Sequence, residues 1–174
     1  EMDWFEAVNH AFSTLATGGF STHNASIGGY DSVYIDVVIT LFMFLAGVNF
    51  VLYFRMIRGE YGISLSNPEF IFYAVATLAS ISVVTLGLWL QTGYSPADAL
   101  RYGSFQAVSI LTTTGYGTDN YLLWSSLPLI VMTILFFTCA STGSTSGGIK
   151  MMRWLIIFND ILLELRQRVH PRAV

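Results

Sequence analysis

Thr112-Thr113-Thr114-Gly115-Tyr116-Gly117-Thr118 lies between a short segment of helical pattern and a long apolar one, with little charge nearby. Glycine adopts backbone angles that a Cβ obstructs. A Thr-rich run opening into Gly-Tyr-Gly therefore suits a loop whose successive carbonyls turn to one side. A related element comes earlier, Ala16-Thr17-Gly18-Gly19-Phe20-Ser21-Thr22. Laying Gly18 on Gly115 brings Thr17 onto Thr114 and Ser21 onto Thr118. A single Thr-Gly-Tyr-Gly run is compatible with an ordinary turn. Two, each preceded by a helix-sized segment and followed by a membrane-length one, point to a repeated unit.

The 174 residues are 53% hydrophobic and 11% charged. Soluble domains carry about 25% charged residues, so a membrane protein is expected. Cys139 is the only cysteine, which excludes an internal disulfide. The acidic start at Glu1-Met2-Asp3 is the opposite of a basic signal-peptide n-region. With a short helix following at once, the chain reads as a fragment.

Met2–Leu15 predicts a helix capped by Asp3, with Glu6 in the capping-box position. About 12 helical residues rise ~18 Å, short of a hydrocarbon core of about 30 Å. The segment is therefore expected to enter the membrane and turn back at Thr17–Ser21, since irregular backbone at that depth survives only where it lines a cavity. Thr22–Asp36 is polar and Gly-rich and suits a solvent loop. Val37–Phe54 is apolar apart from Asn49 and long enough for one span, with Asn49 bonding a neighbouring helix or lining a pore. Arg55 and Arg58 close it, and a loop through Gly59, Gly62 and Pro68 follows. Phe70–Leu90 is the second span, whose Ala74, Ala76, Ala79, Ser80 and Ser82 allow close helix approach.

Ser95-Pro96-Ala97-Asp98 starts another helix, with serine as N-cap and proline at the first helical position. It runs to about Leu111 and delivers the chain to the Gly115 loop. Leu122–Ala140 is the third span, with Pro128 expected to bend it. Ser141-Thr142-Gly143-Ser144-Thr145-Ser146-Gly147-Gly148 cannot continue a good helix. From Ile149 to about Arg168 the helical pattern resumes, charged and amphipathic at Asp160, Glu164, Arg166 and Arg168.

Arg55, Arg58, Lys150, Arg153, Arg166, Arg168 and Arg172 fall on one side and Arg101 alone on the other. The positive-inside rule makes the first side cytoplasmic, so both glycine loops enter from outside. The expected fold is all-α and integral to the membrane, built from K+-channel-like span–pore helix–filter–span units. Residues 1–58 supply a pore helix, a filter loop and a second span; residues 59–174 supply a full following unit that ends in the cytoplasm. A cation entering a narrow pore sheds water, and carbonyl dipoles replace that water. The short helices would aim the negative ends of their dipoles at the same cavity.

These motifs resemble the Trk/Ktr/HKT superfamily of potassium transporters, and within it the bacterial Trk branch. The resemblance is carried by Ala16–Thr22, Thr113–Thr118 and Ser141–Lys150, and it extends over essentially the whole chain. It implies four units in one polypeptide around a pseudo-fourfold axis, of which this chain holds about one and a half. It also implies potassium transport by a multi-pass protein of the bacterial inner membrane. The partners implied are the missing repeats, a second copy in a homodimer, membrane lipid and a cytosolic nucleotide-binding regulatory ring of TrkA type. The filter would use backbone groups of Thr17, Gly18, Gly19, Thr114, Gly115 and Tyr116, with potassium as cargo and no cofactor. Glycine at 18 and 115 matches the potassium-selective pattern; in HKT relatives a serine there accompanies sodium preference. The resemblance further implies an intramembrane gating loop over Thr142, Gly143, Ser144, Thr145, Ser146, Gly147, Gly148 and Lys150.

The same loop follows from physical chemistry. Each glycine costs a helix roughly 1 kcal/mol relative to alanine, and Ser/Thr hydroxyls satisfy freed backbone groups locally. Such backbone must face protein or a water-filled cavity. Lys150 would either hold the loop or snorkel to the interface. Asp119, beside the second filter, would concentrate cations or be a solvated loop acid.

Gly143–Lys150 fails as a nucleotide-binding loop, because Ile149 separates glycine from lysine and Met151 replaces Ser/Thr. His10, His23 and His170 show no ligand spacing, and no Ser/His/Asp arrangement or nucleic-acid-binding pattern is visible. A membrane enzyme with a polar Ser/Thr/Gly site and a helical scaffold are the alternatives. Neither accounts for two filter-like loops on one side.

Overall fold

The computed structural model describes residues 2–169; His170 and Arg172 lie outside the described residues. Those residues form eight α-helices and no strand, with one isolated bridge between Cys139 and Lys150. Helix α1, Trp4–Leu15, begins where expected. Asp3 accepts the Trp4 N–H, and Glu6 reaches back to the Asp3 N–H at 3.1 Å, completing the capping box. Helix α6, Pro96–Leu111, is its counterpart, with Ser95 Oγ accepting the Asp98 N–H at 3.1 Å. Helix α5, Pro68–Gln91, has 24 residues and rises about 36 Å, enough to cross a bilayer. Asn67 caps it by accepting the Phe70 N–H.

The first predicted span is not one helix. It breaks between α2, Val33–Ala46, and α3, Phe50–Ile57, with a bend of 91°. Asn49 caps α3, its Oδ1 accepting the Val51 N–H at 2.9 Å. The break is tolerable because the freed carbonyls find donors from elsewhere in the chain. Tyr73 donates to Phe44 O, Tyr53 to Leu45 O and the Ser141 N–H to Gly47 O.

Three further expectations change. Thr22–Asp36 is not all solvent loop: Ser26–Tyr30 forms a 3-10 turn, and Asp36 is buried in α2 against Arg101. The Gly59–Pro68 connection contains a short helix, α4, Tyr61–Leu65. The third span narrows to α7, Ser126–Phe137, with Pro128 in its first turn instead of at a mid-helix kink. Pro128 there packs against Gly87 of α5, where a Cβ would come within 2.8 Å of its ring. Helix α8, Met151–Val169, follows the loop and carries Arg166 and Arg168 in its last turn.

Helix α6 occupies the centre, packed against α5, α2 and α7. Its segment from Phe105 to Leu111 is buried on every side. The outward faces are apolar, as at Val37, Leu41, Leu78, Leu90, Ile134 and Phe137. A soluble monomer rarely exposes contiguous apolar surface beyond a few hundred Å², so this shell is built to meet lipid or further protein.

Candidate functional site

The two loops share one backbone course. Gly18 N–H donates to Ser13 O at 2.8 Å, and Thr114 N–H to Ser109 O at 2.9 Å. Thr17 N–H donates to Thr14 O, as Thr113 N–H does to Ile110 O. Left-handed φ values fall at Thr17 (50°) and Gly19 (68°), and at Thr113 (58°) and Gly115 (86°). Every matched pair is 96 residues apart. The structural partner of Gly115 is therefore Gly19, not Gly18, and Gly18 matches Thr114. Matching the Thr-Gly dipeptides put the alignment one residue out; the helix ends at Leu15 and Leu111 set the true register.

Turning these N–H groups back onto the helix ends turns the carbonyls away. Among the described residues, no donor reaches the carbonyls of Thr17, Gly18, Gly19, Thr113, Thr114 or Gly115. The Tyr116 carbonyl already accepts the Ser109 hydroxyl at 2.7 Å inside its own unit, whereas the Thr113 carbonyl joins the open set. The loops also touch. A Cβ on Gly19 would lie 1.9 Å from the Thr114 carbonyl oxygen, a backbone atom that cannot swing aside. Gly115 meets nothing within 4 Å.

The Tyr116 side chain is fully buried with Ile27, Met43, Phe105 and Val108. Its hydroxyl donates to Phe20 O at 3.3 Å and lies 3.5 Å from His10 O, bracing one loop on the other. His10 is buried too, with Nδ1 donating to Glu6 O at 2.7 Å and Nε2 in hydrogen-bond contact with Ser21 Oγ at 2.9 Å. Among the described residues no cluster of His, Cys, Asp or Glu could hold a metal ion.

Asp119 is not a free, solvated loop acid. Its Oδ2 accepts from Tyr94 Oη at 2.7 Å and Trp124 Nε1 at 2.9 Å, and its Oδ1 from the Asn120 N–H at 2.7 Å. Burial pushes the carboxyl pKa up, but these donors together outweigh it and hold the pKa below the ordinary carboxylate value. Asp119 clamps the outer end of the second loop.

Beneath both loops lies Ser141–Gly148. Its base is closed by Cys139 N–H to Ile149 O (2.9 Å) and Met151 N–H to Ala140 O (3.2 Å). Gly143 O accepts the Phe50 N–H, and left-handed Gly143 lies against Asn49, where a Cβ would come within 2.9 Å of Oδ1. Thr145 Oγ1 donates to Leu15 O at 3.0 Å, at the end of α1. Gly147 N–H donates to Thr113 Oγ1 at 2.7 Å, at the end of α6. Lys150 does not snorkel: its ammonium turns back and donates to Ser146 O, Ser146 Oγ (3.0 Å) and Ser144 Oγ (3.4 Å).

Sequence reasoning missed Glu69, which is buried in the first turn of α5 and accepts the Thr142 N–H at 2.5 Å. An acid at the edge of a membrane-length apolar run was the available signal, since such residues are rarely idle. It also missed the Arg101 pairs to Asp36 (2.6 Å) and Asp31 (3.1 Å), although Arg101 stood out as the lone outer cation.

Paired re-entrant helices, each ending in a loop of open carbonyls, are features of a K+-channel-like membrane fold for cation transport. The family described as "TrkH: Cation transport protein" matches residues 2–70 and 63–174, and the chain belongs to that family. It is 37% identical over 175 residues to the Trk system potassium uptake protein TrkH of Escherichia coli K12, and 33% identical to TrkG of the same organism. Each alignment covers 99% of this chain and 36% of the relative, so the chain spans about a third of their length. The crystal structure of the potassium transporter TrkH from Vibrio parahaemolyticus matches with a TM-score of 0.94 at 36% identity, over 99% of this chain and 38% of that one. These relatives are transporters, not enzymes.

Proposed function

We propose that this chain is part of the ion-conducting subunit of a bacterial inner-membrane potassium transporter. The observation that carries this reading is the matched pair of loops, each exposing three consecutive carbonyls without donors among the described residues, at the negative end of a short helix. Thr17, Gly18 and Gly19 form one filter strand, and Thr113, Thr114 and Gly115 the next. Potassium is the cargo. Residues 1–58 and 59–174 are the second half of one repeat and the whole of the next. The remaining filter strands come from further repeats, and the protein works as a homodimer with a TrkA-like cytosolic ring.

Ser141–Gly148, held by Lys150, Glu69, Leu15 and Thr113, is the gate. In the full-length protein in liposomes, Gly115→Ser and Gly19→Ser are expected to lower the potassium/sodium permeability ratio. Unchanged ratios in both would sink the filter assignment. Deleting Thr142–Gly147 should raise potassium flux and leave the ratio intact; normal flux from a folded deletion would remove the gate.

A further inference from the structure

Thr17 and Thr113 occupy equivalent places, each left-handed and each the first open carbonyl of its loop. Their hydroxyls do different things. Thr17 Oγ1 donates to Ala16 O, at 2.8 Å, within its own loop. Thr113 Oγ1 accepts the Gly147 N–H at 2.7 Å, from the loop beneath. Among the described residues this is the only side-chain hydrogen bond between Ser141–Gly148 and either filter loop itself, since Thr145 reaches only the last carbonyl of α1.

A left-handed threonine is costly on its own, because its Cβ crowds the following carbonyl. Position 113 thus holds a strained backbone whose side chain is tied to the element proposed to move. From this geometry we infer that Thr113 is a positioning residue that latches the loop to the filter. While the Gly147 N–H is bonded to the Thr113 hydroxyl, the loop is kept under the pathway. When the loop withdraws, the bond is lost and the hydroxyl is free to face the ion path. This rests on the gate reading above.

The test uses the full-length protein in liposomes with potassium flux as readout. Thr113→Val keeps the branched shape and removes the acceptor. It is expected to raise basal flux roughly two- to tenfold, the equilibrium worth of one net hydrogen bond. Thr113→Ser, which restores an acceptor, should return flux to the wild-type level. In the background lacking Thr142–Gly147, Thr113→Val should add nothing, whereas an effect acting only on the filter would persist. Gly147→Pro deletes the donor from the other side and should mimic Thr113→Val; it keeps the test decisive if the valine variant fails to fold. Unchanged or reduced flux in Thr113→Val or Gly147→Pro, or an equal rise in the loop-deleted background, overturns the latch. If the deletion raises flux and these variants do not, only the latch falls. If the deletion itself has no effect, the gate reading falls with it.

Discussion

The α1 and α6 units repeat the same hydrogen bonds 96 residues apart, yet their surroundings are opposites. In α6 every residue from Phe105 to Leu111 is buried, whereas in α1 only His10 and Thr14 are. Phe20 is 81% exposed, and its counterpart Tyr116 is fully buried. The cause is what surrounds them: α2, α5 and α7 wrap α6, while α1 packs on α2. The lesson is that the loop course is written locally. It forms from capped helix ends and glycine, whether or not neighbours enclose it.

The enclosure should respond most strongly to loss of its outer brace. Arg101→Met leaves the Asp36 carboxylate, 3% exposed, without its partner inside α2. Breaking a buried pair by removing one side costs about 3–5 kcal/mol. Thermal or denaturant unfolding of the 174-residue chain in detergent should register that loss, and Asp36→Asn added to Arg101→Met should recover part of it. A loss below ~1 kcal/mol would mean that wrapping contributes little to the α6 unit.

Next comes a contrast between the loops. Gly19→Ala drives a Cβ into the Thr114 carbonyl and is expected to cost at least about 3 kcal/mol. Gly115→Ala faces open space in this chain and should cost only the left-handed penalty of about 1–2 kcal/mol. Equal losses in paired unfolding measurements would contradict the one-sided contact between the strands.

Tyr116→Phe makes the second loop resemble the first at this position. It removes the hydroxyl that reaches Phe20 O and His10 O, and about 0.5–1.5 kcal/mol should go with it. A neutral outcome would show that ring burial alone joins the loops.

The smallest effect concerns acid. The Asp119 pKa is depressed in the folded protein, so the stabilisation is present above the unfolded value, 3.8, and is lost as pH falls through the lower folded value. Wild-type protein should therefore lose stability on acidification below about pH 4, and Asp119→Asn should flatten that limb. Parallel acid profiles would show that Asp119 does not clamp the loop.

Local chemistry was legible in the residues. Both capping boxes or caps, at Asp3 and Ser95, start their helices where expected, and α6 ends at Leu111. The helix-breaking run at Ser141–Gly148 and the membrane-length α5 were equally plain, because glycine, serine and apolar length act over a few residues. What the sequence left open depends on partners far along the chain. The break at Gly47–Asn49 lies in an apolar run that reads as one helix. It exists because Tyr53, Tyr73 and Ser141 supply donors to its carbonyls. The register between Gly19 and Gly115 was hidden because side-chain identity matched one residue away from backbone geometry. Lys150 turned inward, and Glu69 found the Thr142 N–H, only once the loop was folded against them. Composition and short-range pattern determined the elements; tertiary structure alone decided which backbone groups were already bonded and which stayed open.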